Sequence, residues 1–307
     1  MRGRHPPARG QFASSGSMRV HGLMVGPPEE TAVGRKRAPA VWVALAALVL
    51  VALGAASFGQ PPVARAPSVG AGWAEEIRAG YDQWLRHGTL RQLPIGLFDS
   101  GTGGMTVLEQ ILTLDAYHNG TTRPGSDGRP DFAGESFVFL ADQANMPYGN
   151  YPAEGKTELL KRLILADARF LMTAGAHKAG RDGPARRKLP AKAVVIACNT
   201  ATAYGKEAIA ALIQRAGVDV QLTGVIDAGA RDAVSLLAEN GGGTVGVFAT
   251  CGTVLSEAYP AAIRHWASTA GIGGRVAVVQ QGALGLAGAI DGRGEYVDQC
   301  CKHLGIA

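Results

Sequence analysis

From Leu93 onward the chain repeats one local pattern: a short apolar, β-branched run, a polar or Gly-rich turn, then a stretch with helical periodicity. The units are PIGLF, DSGTGG and MTVLEQILTL; SFVFLAD, QANMPYGNYPAEG and KTELLKRLILADARFLMTAG; AVVIAC, NTATA and YGKEAIAALIQRAG. They continue as LTGVI, DAGA and RDAVSLLAEN; TVGVFA, TCGT and VLSEAYPAAIRHWAST; and VAVVQQ before GALGLAGAIDG. Strands that are apolar along their whole length, alternating with helices, predict an α/β fold with a parallel sheet covered on both faces. Two stretches interrupt the rhythm, residues 115–135 and 175–190. Both are Gly/Pro-rich and charged, and read as surface insertions.

The 92 residues before this region are of a different kind. Residues 1–37 carry seven Lys/Arg against two Glu, which accounts for the whole net charge of +5. The remainder is neutral and lacks the phosphate-neutralising surface that nucleic-acid binding needs. The 27 residues between Arg37 and Arg65 are uncharged, and 38–59 are long and apolar enough for a bilayer-spanning signal or anchor segment. The positive flank predicts a cytoplasmic tail over 1–37, with the rest carried to the envelope; without a real extension the domain would be cytoplasmic. Residues 60–92 read as a linker and a short amphipathic helix, with Trp73, Ile77, Tyr81, Trp84 and Leu85 on one side, packed on the domain. Four cysteines are too few for a disulfide scaffold, and no CxxC or His/Cys spacing indicates a metal.

In open parallel sheets ligands bind beyond the carboxyl ends of the strands. The residues found there are Asp99 and Ser100; Asp142 with Pro147, Tyr148 and Gly149; Cys198, Asn199 and Thr200; Asp227; and Thr250, Cys251, Gly252 and Thr253. Cys198 closes a strand and opens a helix, where unpaired N–H groups favour the thiolate. The loop DSGTGG places glycine N–H groups where they can converge on an anion, yet it lacks the ending of a P-loop and the spacing of a dinucleotide fingerprint.

IGLFDSGTGGMTVL (95–108), FLADQANMPYG (139–149), VVIACNTATA (194–203), GVIDAGA (224–230) and VGVFATCGTVLSEAY (245–259) resemble, in order, five segments of glutamate racemase. The resemblance implies two pseudo-symmetric α/β lobes, 93–221 and 222–307, with the site between them. It implies cofactor-independent racemisation, one cysteine thiolate removing the α-proton of glutamate and a second thiol reprotonating the opposite face. Cys198 would be one base, supported by Asp99; Ser100, Pro147, Tyr148, Gly149, Asn199, Thr200, Thr250 and Thr253 would hold the substrate. D-glutamate for peptidoglycan is the implied product, and the assembly is a monomer or a homodimer. The family's second cysteine, in a Gly-Cys-Thr-His-Tyr-Pro segment, has no counterpart before Ala307. The second lobe is therefore expected to be incomplete, with an exposed apolar edge. Asp227-Ala228 replaces the family's Glu-Pro. A silent amino-acid-binding module, or a one-thiol lyase or isomerase of the same fold, fits the same residues.

Overall fold

The computed structural model describes residues 20–22, 72–178 and 185–305. Its main sheet is parallel and five-stranded, ordered β1-β3-β2-β6-β7. These strands are β1 (Val20–Gly22), β2 (Ile95–Asp99), β3 (Phe137–Ala141), β6 (Ala193–Ile196) and β7 (Gln221–Gly224). The expected membrane segment at 38–59 and the linker up to residue 71 lie outside the described residues. Among those described, no helix is long and apolar enough to cross a membrane.

Side chains of β2 and β6 alternate between two cores, as the two-residue period of a strand requires. Phe98, Val194 and Ile196 face a large cluster under α1 (Trp73–Leu85), α3 (Thr157–Met172) and α4 (Asn199–Ala216). Ile95, Leu97, Ala193 and Val195 face a smaller one under α2 (Gly103–Thr113). Helix α3 buries Leu160, Ile164, Leu165, Ala168, Leu171 and Met172, the three-and-four spacing of a single helical stripe. Helix α1 packs on the domain as expected: Ile77 and Tyr81 are buried, and the Tyr81 hydroxyl donates to the Ala191 carbonyl. Leu85, expected on the same side, is exposed.

Both insertions are more structured than their composition suggests. In 115–135 the Asp115 carboxylate accepts from Ser126 Oγ and from the N–H groups of Asp127 and Gly128, and Asp131 accepts from Ala116 and Tyr117. Phe132 from the same stretch is buried beside Phe137. Within 175–190 the antiparallel strands β4 (Gly175–Lys178) and β5 (Ala185–Lys188) pair as a hairpin. The buried Lys188 Nζ donates to the carbonyls of Leu171, Thr173 and Leu189. Burial lowers its pKa to about 8.

Strand β7, which spans the boundary expected at Leu222, pairs with β6 in the first sheet. The second lobe starts with α5 (Val225–Glu239), followed by β8 (Gly243–Thr250), α6 (Cys251–Leu255), α7 (Ala258–Thr269), β9 (Val276–Ala283), α8 (Leu286–Ile290) and α9 (Gly294–Leu304). Strands β8 and β9 form a parallel pair. Val245, Val247, Val276 and Val278 pack on α5 and α7, while Phe248 and Val279 on the other face are 58% and 62% exposed. The exposed apolar surface is a face of this pair, where an exposed edge was expected.

Candidate active site

The chain winds in opposite directions from β2, first to β3 and then back past β2 to β6. β2 leads through α2 to β3 on one side, and β3 leads through α3 to β6 on the other. The crevice of such a sheet opens where the direction reverses, beyond the carboxyl ends of β2 and β6. Asp99 and Ser100 end β2 and Cys198 follows β6, so three candidates from distant sequence stretches converge there.

Ser100 Oγ lies 3.5 Å from Cys198 Sγ, and both residues are buried. Asp99 Oδ2 accepts from Gly104 N at 2.7 Å. This contact explains the glycine, since a Cβ on Gly104 would fall 2.6 Å from Asp99 Cβ. Cys198 is the N-cap of α4, and its sulfur accepts from Ala201 N at 3.4 Å. The expected thiolate is not what this environment favours. Burial first, then the neighbouring Asp99 carboxyl, push the Cys198 thiol up to about 12, outweighing the hydrogen bonds from Ser100 and Ala201. Burial likewise raises Asp99, against the N–H groups of Gly104, Gly101 and Ser100 and a hydrogen bond with Cys198. Both shifts run toward the protonated forms.

The three threonines form a hydroxyl triangle. Thr200 Oγ1 is 3.2 Å from Thr250 Oγ1 and 3.0 Å from Thr253 Oγ1, and the last two are 3.0 Å apart. Thr200 and Thr253 are buried, so in this structure the triangle fastens the start of α4 to the end of β8. The turn over Pro147, Tyr148 and Gly149 is buried and packs on α6, with Gly149 against Thr250 and its carbonyl against Gly252. Tyr148, expected to contact substrate, turns into the core instead, its hydroxyl 2.5 Å from Asp142 Oδ2 and 2.8 Å from Asp167 Oδ2. Asn199 is exposed, and its Oδ1 accepts from Tyr259 of the second lobe at 2.8 Å.

Two contacts were not anticipated from sequence. Thr102 of the Gly-rich loop donates to Asp291, which follows α8, so the second lobe reaches over that loop. Asp227, in the first turn of α5, is paired with Lys206 of α4. Cys251 follows β8 and lies 3.7 Å from His303 Nε2 of α9; Cys300, expected away from any strand end, is buried on that same helix beside Cys251, whose thiol is raised by burial and by this neighbour. Among the described residues, no three His, Cys, Asp or Glu side chains are grouped to hold a metal ion.

No protein-family model matches the chain. It is similar to glutamate racemases of known sequence: 34% identical over 178 residues to that of Enterococcus faecalis, covering 58% of this chain and 49% of the relative. With the glutamate racemase of Methylococcus capsulatus it shares 33% identity over 166 residues, 54% of this chain and 45% of the relative. The chain thus spans about half the length of the curated relatives it matches. Among solved structures, a glutamate racemase from Thermus thermophilus in complex with β-chloro-D-alanine aligns at 30% identity and TM-score 0.37, over 56% of this chain and 49% of its own. One from Campylobacter jejuni aligns at 22% identity and TM-score 0.42, over 68% and 66%.

Proposed function

We propose that the chain carries the thiol half of a cofactor-independent glutamate racemase, with Cys198 exchanging the α-proton of glutamate and Asp99 managing the proton of the thiol. The observation that carries this reading is the convergence of Asp99, Ser100 and Cys198 at the reversal point of the sheet, in a buried setting. The similarity to glutamate racemases over about half their length supports glutamate as the substrate.

A thiol as basic as Cys198 is a strong base once ionised, and a poor one while it keeps its proton. Asp99 is placed to take that proton. An incoming α-ammonium group adds positive charge beside the pair, which favours loss of the proton from it. The thiolate then removes the α-proton in a site that excludes water, where N–H groups of the DSGTGG loop can stabilise charge on the substrate carboxylate. Ser100 and Asn199 are the candidate polar contacts at the mouth, and Thr200, Thr250 and Thr253 fix the wall behind it. The product in this reading is D-glutamate for peptidoglycan. A single membrane crossing by 38–59 and the pairing of β1 with β3 are mutually exclusive, and protease protection of the N-terminus in membrane fractions distinguishes them.

The test is to incubate the full chain with L-glutamate in D₂O, following α-proton exchange by NMR and inversion by polarimetry, with Cys198→Ala as control. Exchange that depends on Cys198 supports the reading. Inversion in the same tube would show that a second proton donor acts within this chain. No exchange in the wild type sinks the enzymatic reading.

A further inference from the structure

The Tyr148 hydroxyl lies 2.5 Å from one carboxyl group, Asp142, and 2.8 Å from another, Asp167. A phenol has one hydrogen to donate, so a second hydrogen must be present for both contacts to be hydrogen bonds. The amide of Asn145 donates to both oxygens of Asp142, at 2.9 and 3.0 Å, which makes Asp142 the acceptor and leaves Asp167 to carry the hydrogen. Tyr148 is fully buried and Asp167 nearly so. Among the described residues no cation is paired with Asp167: on α3 Arg169 turns outward to Glu76 of α1, and Lys206 of α4 is committed to Asp227. The titratable groups facing it are Asp142 and Tyr148; beyond them on the same loop Tyr151 lies next to Asp142, and Lys156 pairs with Glu154.

We infer that Asp167 is a positioning residue for the proposed reaction, acting as a neutral carboxyl that donates to Tyr148 and so fixes the Pro147–Gly149 turn against the second lobe. This inference rests on the function proposed above. The chain of contacts is short: Tyr148 leads into Gly149, which lies under Thr250, and Thr250 bonds Thr200, two residues from Cys198. Ionising Asp167 leaves two carboxylates around one hydroxyl in a buried setting, with only one hydrogen between them. Burial does hold the Asp167 carboxyl up, to about 7.

Asp167→Asn retains a donor that cannot ionise, and Asp167→Ala removes it. Thermal unfolding and Cys198-dependent exchange are measured on the full chain from about pH 4 to pH 9. A carboxyl raised in the folded state contributes stability at low pH that is lost as pH rises toward its folded value. Asp99 and Asp232 are also raised by burial, so wild-type stability should decline more steeply between about pH 4 and pH 7 than that of the Asn variant. Exchange should fall about tenfold in the Ala variant. The Asn variant should recover it and lack the loss of activity near pH 7. A decline in the Asn variant equal to the wild type's overturns the inference, as does an Asn variant as inactive as Ala. If the wild type shows no exchange, the proposed function fails, and the unfolding curves still decide the state of Asp167.

Discussion

Gly149 and Thr250 meet with no room for a side chain between them, since a Cβ on Gly149 would lie 2.5 Å from Thr250 Cβ. The contact joins the turn after β3 to the end of β8, and so joins the two lobes next to the site. Gly149→Ala forces that junction apart and should cost about 1–3 kcal/mol, as overpacking of a close contact does. Denaturant unfolding measures the loss, and a midpoint equal to the wild type's would show that the approach is looser than described.

Cys198 should have an alkaline signature. Its folded value of about 12 lies above the ordinary value of 9.0, so its contribution to stability is intact below pH 9 and lost as pH rises toward 12. Half-buried Tyr259, also raised to about 12, contributes in the same direction, so the informative quantity is the difference between wild type and Cys198→Ala. That difference should shrink with rising pH; if it stays constant from pH 8 to pH 11, the thiol is not held neutral. Exchange of the glutamate α-proton should fall about 10²–10⁴-fold in the same variant, the usual contribution of a positioned base.

Tyr259→Phe removes the hydroxyl that donates to Asn199 from across the lobe boundary. The expected cost is about 0.5–1.5 kcal/mol, small because Asn199 is exposed and water can replace the donor. Asn199 is a candidate substrate contact, so the KM for glutamate should change more than kcat. A change confined to kcat would move Asn199 from binding to the chemical step.

The bare face of the β8–β9 pair predicts dye binding and self-association. Parallel strands are ordinarily covered on both sides, and here Phe248 and Val279 face solvent. Replacing both with Thr should leave stability within about 0.5 kcal/mol per site and lower the binding of an apolar fluorescent dye. Unchanged dye binding would place the sticky surface elsewhere, at Leu255 or Ile290, which are 63% and 76% exposed.

Much of this was legible in the sequence because the signals were local. Apolar runs ending in Asp99 and Cys198 marked strand ends, and the sheet rule then placed those ends in one crevice. The allocation of β7 was not legible, since a short strand between two helices fits either lobe, and only its pairing with β6 decides. The burial of Cys198 was not legible for a related reason. Position at a helix start is local, whereas the burial that raises Cys198 depends on the packing of the whole lobe. Tyr148 entered as a substrate contact through the family resemblance, while its partner Asp167 was visible in TELLKRLILADARFLM. There a carboxyl falls on the apolar stripe, three residues after Ile164 and four before Leu171. A charge at an inward position of a helix is the signal that would have found it.

The cores of the two lobes are unequal. The cluster that holds Cys198 draws on three helices, while the second lobe rests on Ala230, Val234, Ile263, Ala267 and Ile272. Local opening free energies follow buried contact, so the part carrying Thr250, Tyr259 and Asp291 should detach from the first lobe well before the first lobe unfolds. Each such excursion rehydrates Cys198 and returns it to the reactivity of an ordinary thiol. The rate at which an alkylating reagent finds this sulfur would then act as a clock for the breathing of the lobe above it, and would say little about the intrinsic nucleophilicity of the thiol.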